Sequence, residues 1–290
     1  MKTRLLPLVF ATFAASWLPR TASAGPVLFS AAGANAAAIT PTRDAFRAAV
    51  GGGTVAGPNG SFGGVRREIN WDGVPDMFAT PNDLPADFFN VNSPRGVIFL
   101  PNDPGDTFQV SATAASGVGV EFSNVDPSYD DIFQTFSAER LFNTRRDTTM
   151  DVVFRVPGTN TPASVNAFGV IFTDVDVNAR LRFFDVNDVL LGEFFAPSFN
   201  EGLSFLGVMF NAGERVGRVG IISGNTTMNP GNLDGNGVDI VAMDDFIYAE
   251  PVAAVPEPAT LVLLGTGVAG LIAKARRRNR PTRTEPSIAS

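Results

Sequence analysis

The side chains able to do chemistry in this 290-residue chain are mostly carboxylates. There is no histidine and no cysteine, and the only lysines, Lys2 and Lys274, lie near the two ends. A serine or cysteine nucleophile therefore lacks its usual base, a zinc site lacks imidazole and thiolate ligands, and no disulfide can form. The acids that remain recur where strands should meet turns: Asp174 and Asp176, Asp185 and Asp188, Asp234 and Asp239, Asp244 and Asp245. Hard oxygen ligands of this kind suit Ca²⁺, and Asp174, Asp176, Asp244 and Asp245 are the expected calcium ligands, set against the plainer reading of solvated turn carboxylates. The stretch Asn232-x-Asp234-x-Asn236-Gly237 begins like an EF-hand loop but places Met243 where that loop needs a bidentate glutamate, so it is not one. A glycoside hydrolase needs only two carboxyl groups held about 5 to 10 Å apart. Sequence spacing does not reveal such a pair, and the expectation is a body without catalytic activity, with a carbohydrate-binding or glycan-hydrolysing body as the alternative.

Stacking on a sugar ring calls for an exposed Trp or Tyr face. With Trp17 expected to leave with a signal segment, Trp71, Tyr129 and Tyr248 remain, beside 25 phenylalanines better read as core. Trp71, flanked by Asp72 and Gly73, is the one candidate ligand contact, weighed against a packing role.

Charge is unevenly spread. Lys2, Arg4 and Arg20 contribute +3 and the segment from Lys274 onward a net +5, so a total of −7 leaves −15 for the stretch between. Such a surface argues against nucleic acid and anionic lipid as partners. At the front, MKTR, an apolar run from Leu5 to Leu18 and Ala22-Ser23-Ala24 form the three regions of a signal peptide, residues 1–24, with cleavage expected between Ala24 and Gly25.

Near the other end, LVLLGTGVAG contains a GxGxxG at Gly265, Gly267 and Gly270. A dinucleotide site would need a following helix and second strand, and polar sequence follows instead. The uncharged run Ala259 to Ala273 gives, as a helix, about 22 Å against a hydrocarbon core of about 30 Å. A single short membrane helix over 259–275 is expected, its arginines cytoplasmic by the positive-inside rule. Pro256, Glu257 and Pro258, then the apolar segment, then Arg276, Arg277 and Arg278, resemble the PEP-CTERM protein-sorting tail of exopolysaccharide-producing Gram-negative bacteria. The resemblance covers 255–279, followed by a basic tail, 280–290, read as disordered. It implies transient inner-membrane anchoring with the body outside the cytoplasm, processing by an exosortase-type enzyme near Pro-Glu-Pro, and release to the cell surface or extracellular matrix, where exopolysaccharide is a conceivable partner.

The elements that must position these residues read as mainly β. From Gly96 onward, runs rich in Val, Ile and Phe alternate with period two: Phe108 and Val110; Val118, Val120 and Phe122; Met150 to Val156; Leu181 and Phe183; Val208 and Phe210. Denser runs, Phe168 to Phe172 and Val238 to Tyr248, are expected central strands. Turn clusters of Gly, Asn, Asp and Pro separate them, which predicts an antiparallel, jelly-roll-like β-sandwich over 96–251. Residues 25–95 are expected to wrap it, with one soluble helix from Pro41 to Val50 opened by Thr40-Pro41 and closed by Gly51. The segments Arg66 to Val74, Ala167 to Asp176 and Ala242 to Tyr248 together resemble a body type found in exported proteins that carry this tail.

Overall fold

The computed structural model of the protein describes residues 25–53, 65–253 and 274. The signal segment with Ala24, the apolar stretch 259–273 with its glycine motif, and Pro256, Glu257, Pro258, Arg276, Arg277 and Arg278 lie outside the described residues. Among the described residues no helix is long and apolar enough to cross a membrane.

Two antiparallel sheets form the body. The larger runs β1 (Val27–Gly33), β11 (Phe199–Met209), β8 (Ala167–Val175), β13 (Ala242–Ala249), β5 (Phe142–Thr144) and β4 (Phe108–Val110), with β2 (Arg66–Ile69) also paired to β13. The smaller runs β10 (Leu190–Phe195), β9 (Ala179–Asp185), β12 (Val216–Ser223), β6 (Thr149–Phe154) and β3 (Val97–Pro101). β7 (Ala163–Ser164) and β14 (Val252–Ala253) make a short ribbon. Phenylalanines fill the space between the sheets: Phe154 meets Phe168 and Tyr248, and Phe183 meets Phe210. The sandwich is mainly β, as expected, but seven and five strands exceed the eight of a simple jelly roll.

All nine residues of β8 and all eight of β13 are buried. Their inner faces meet the smaller sheet; the outer face is covered by α1 (Ala36–Val50), which packs on β1, β11 and β13. Double burial is the physical reason these strands read as dense apolar runs rather than as alternation. The helix lies close because Gly169 and Gly207 sit directly opposite each other on β8 and β11. A Cβ on Gly169 would come within 3.0 Å of the Phe46 ring, and one on Gly207 within 2.9 Å. Phe46 also meets Phe29 and Phe205 edge-on or tilted, locking α1 to the two strands beneath it.

Three expectations are corrected. The helix begins at Ala36, not Pro41, because the Asn35 side chain accepts from the Ala38 N–H at 3.3 Å and three alanines follow. Pro41 then lies inside it. Residues 25–95 do more than wrap the sandwich, since β1 is an edge strand and β2 joins β13. Their four- and seven-residue runs carry Ala, Gly, Arg and Glu, which hides the strand signal. Val118 to Phe122 is not a named strand: Glu121 and Phe122 turn through positive φ, and Phe122 anchors a small separate cluster with Tyr129 and Ile240. Tyr129 opens the one-turn helix α3 (Tyr129–Ile132), and a second, α2 (Phe88–Val91), brings Phe88 and Phe89 into the main core.

Arg66 fastens the end of α1. It is fully buried, and its Nη1 donates to the carbonyls of Arg47, Gly51 and Gly53 at 2.6 to 2.8 Å, tying the last turn of the helix and the glycines after it to β2, cation against the negative end of the helix. Its Nε lies 2.8 Å from Glu68, which also pairs with Arg47. Two stability outcomes follow. Gly207→Val should cost about 1–3 kcal/mol through overpacking against Phe46, and Arg66→Ala about 3–5 kcal/mol by breaking a buried pair. Urea unfolding of each variant, with unchanged slope, is the check; losses within 0.5 kcal/mol, roughly the range of an ordinary surface change, would show that α1 does not depend on these contacts.

Candidate functional site

The three segments singled out in the sequence, around Trp71, β8 and β13, are neighbours in space, because β13 pairs with β2 on one side and β8 on the other. The segments around Trp71 and β13 border a cavity of about 610 Å³, within the roughly 300–1,000 Å³ usual for small-ligand sites. α1 supplies Arg43 and Arg47 to its wall; β2 and the following turn supply Glu68, Asn70, Trp71 and Asp72; β13 supplies Asp245. Phe88 and Phe89 of α2, with Ser93 and Arg95 beyond it, form the apolar and polar remainder, and Phe136 and Ser137 close one side.

The two acids of β13 sit in a bulge. Met243 pairs with Phe172 and Phe246 with Val170, so Asp244 and Asp245 together oppose the single residue Ile171. The extra residue lets both carboxyls reach Ser137: its Oγ lies 3.1 Å from Asp244 Oδ1 and 2.7 Å from Asp245 Oδ1. Asp244 Oδ2 also accepts from the Phe136 and Ser137 N–H groups at 2.6 and 3.2 Å. Burial, with Asp245 beside it, holds the Asp244 carboxyl far above the usual carboxylate range. Asp245 is raised too, chiefly by burial, with Ser137, Asp244 and Arg43 pulling the other way.

Trp71 is an anchor with an edge on the cavity. Its ring is buried, stacks on Phe142 at 4.1 Å and 1°, and meets Phe89 and Phe246 edge-on. Nε1 donates to the Asp244 carbonyl at 2.9 Å, and the residue itself takes φ of 66°. It is not the exposed platform that sugar stacking ordinarily uses. Asp72 beside it accepts from the Arg140 N–H at 3.2 Å and from Asn70 at 2.9 Å, and burial pushes its carboxyl up to about 6.

Asp174 and Asp176 do not join Asp244 and Asp245. They belong to a second acidic group with Asp234, Asp239 and Glu201, set where β8 ends. Asp174 is fully buried at φ 63°, with Oδ1 accepting from the Glu201 N–H at 2.7 Å and Oδ2 without a partner. Asp239 is satisfied by three backbone N–H groups of residues 176–178 at 2.6 to 3.0 Å. Among the described residues no group of three acids could hold a metal ion. The expected four-carboxylate calcium set is therefore split, because β13 places its bulge opposite Ile171 rather than beside Asp174.

Sequence reading missed Arg43, Arg47, Glu68 and Ser137. A signal was present for the first two: on α1 they share the buried face of Ile39 and Phe46, at helical spacing where apolar residues belong. Glu68 and Ser137 acquire meaning only from strands and loops remote in sequence.

Burial, with the nearby acids adding, pushes Asp174 up to about 7. A carboxyl raised in the fold binds protons that the unfolded chain, with a value of about 3.9, has already released, so stability falls as pH rises from about 4 to 7 and then levels. Asp174→Asn keeps the acceptor for Glu201 and tolerates positive φ. It should raise the melting temperature at pH 8 and flatten this slope, an effect on the order of 1–3 kcal/mol. Equal pH dependence in variant and parent would show that Asp174 is ionised in the fold.

No curated protein and no solved structure matches the chain. The terminal segment does find a match: the model of the PEP-CTERM protein-sorting motif aligns with residues 254–278, spanning Pro256, Glu257, Pro258 and Arg276 to Arg278. The chain thus couples an antiparallel β-sandwich body to a PEP-CTERM sorting motif.

Proposed function

We propose that this is an exported protein, handed through its tail to an exosortase-type enzyme, and that its β-sandwich body works without catalysis at the cell surface or in the extracellular matrix. The observation that carries the reading is the match at 254–278, where proline-acid-proline, an apolar run and a basic stop occur in order. A signal segment ending at Ala24 and a body charge of −15 are consistent with it. Transient anchoring by 259–275 in the inner membrane, arginines inside, would present the Pro-Glu-Pro segment outside the cytoplasm for processing.

A second reading is favoured by the cavity: the body binds saccharide of the exopolysaccharide matrix. Its wall combines aromatic surface with Asn70, Asp72 and Ser93, a mixture suited to a hydroxylated ring. Binding fits better than hydrolysis. Glu68 is held by Arg47 and Arg66, Asp245 by Ser137, and Asp72 by Asn70 and the Arg140 N–H, so each carboxylate at the cavity already has a partner.

In the native host, surface material should yield a mature N-terminus at Gly25 and lack peptides from Ala275 to Arg283. Mass spectrometry of surface and membrane fractions, with and without the exosortase-type enzyme, tests this. Abundant tail peptides at the surface would refute sorting by removal of the tail.

A further inference from the structure

Arg43 stands apart within the cavity wall. It is about nine-tenths buried, and its guanidinium lies over the Phe136 ring at 4.5 Å. Nε is 2.9 Å from Asp44 Oδ1, in a geometry that leaves it without a hydrogen bond. Of its outer nitrogens, Nη1 stands 4.0 Å from Asp245, beyond hydrogen-bond reach, and Asp245 is already engaged by the Ser137 hydroxyl. By contrast, Arg47 and Arg66, one turn along and one strand away, share Glu68. Burial lowers the Arg43 pKa, the mark of a charged group taken from water without full compensation. A fold that desolvates a guanidinium and leaves its planar fork unbonded presents a ready receptor for a carboxylate, which such a fork grips with two parallel hydrogen bonds.

We propose that the cavity binds a carboxylate-bearing sugar unit, a hexuronate, with Arg43 gripping its carboxylate. The proposal rests on the reading of the cavity as a saccharide site and adds the class of sugar. Arg43, Arg47 and Arg95 are matched in number by Glu68, Asp72 and Asp245, so the wall has no excess positive charge to favour a dianion such as a phosphate ester. The remainder of the site fits the rest of the ligand. Asn70, Asp72 and Ser93 offer donors and acceptors for hydroxyls, and Trp71, Phe88 and Phe89 offer an apolar wall for the ring.

Titration calorimetry on the purified full chain in detergent tests this with sodium glucuronate, its neutral amide glucuronamide, glucose and alanine as probes. Glucuronate should bind at least tenfold more tightly than the amide or glucose. Arg43→Gln should erase that preference, and Arg43→Lys, keeping charge but not the fork, should retain only part of it. Should Arg43→Gln fail to melt cooperatively, the comparison of glucuronate with its amide on the parent protein decides alone. Equal affinity for glucuronate and glucose would overturn the role of Arg43 while leaving the saccharide reading intact. Heat from alanine but from no sugar would overturn both, as would no heat from any probe at 10-fold molar excess over millimolar protein. A glucuronate preference that survives in well-folded Arg43→Gln would place the carboxylate elsewhere and overturn the assignment.

Discussion

The constraint on which the rest of this structure depends is that β8 and β13 are buried on both faces. A sheet covered on one side by a second sheet and on the other by one helix must be apolar throughout, and the helix must approach closely enough to exclude water. Gly169 and Gly207 make that approach sterically feasible for Phe46. Without disulfides or body lysines, the helix is then held by arginines: Arg66 on its last carbonyls, and Arg47 with Arg66 on Glu68. Paired in this way, the buried charges are tolerated; unpaired, any one of them would cost several kcal/mol, roughly the range seen when buried ion pairs are broken.

The cavity follows from the same arrangement. α1 covers β1 and β11 more fully than β13, and at the β13 end the bulge turns two acids toward the helix instead of apolar side chains. Burial and the adjacent Asp245 raise the Asp244 carboxyl far above the usual range, because two carboxylates this close, out of water, resist ionising together. The Ser137 hydroxyl holds Asp245, and the Asp244 carbonyl fixes Trp71, so one short stretch of β13 organises both the aromatic stack and the polar wall. Arg43 lines that wall with Nη1 4.0 Å from Asp245, beyond hydrogen-bond reach.

The sorting motif and the cavity lie in separate parts of the chain. Residues 254–278 carry the sorting motif by composition and order alone, with no requirement from the body. The body, in turn, draws its site from residues spread between Arg43 and Asp245, which no local motif unites.

By itself the sequence determined the class of fold, the central strands and the sorting tail. Phe168 to Phe172 and Val238 to Tyr248 announced central strands through dense apolar runs, the second strand in fact starting at Ala242, and Gly51 announced the end of α1, because hydrophobic burial and backbone freedom are local properties of residue type. Asn35 with its alanines was legible as a start and was masked by the stronger signal of Thr40-Pro41. β1 and β2 were not legible, since an edge strand and a strand carrying buried arginine and glutamate lack the alternation that marks a half-exposed sheet. Nor could spacing divide the aspartates: Asp174 and Asp244 look alike along the chain, and only the register of β13 against β8 sends them to different environments. Register decides this because a single bulge residue changes which side chains meet, and the energy that fixes the bulge comes from contacts with Ser137, Trp71 and Arg43, all distant in sequence.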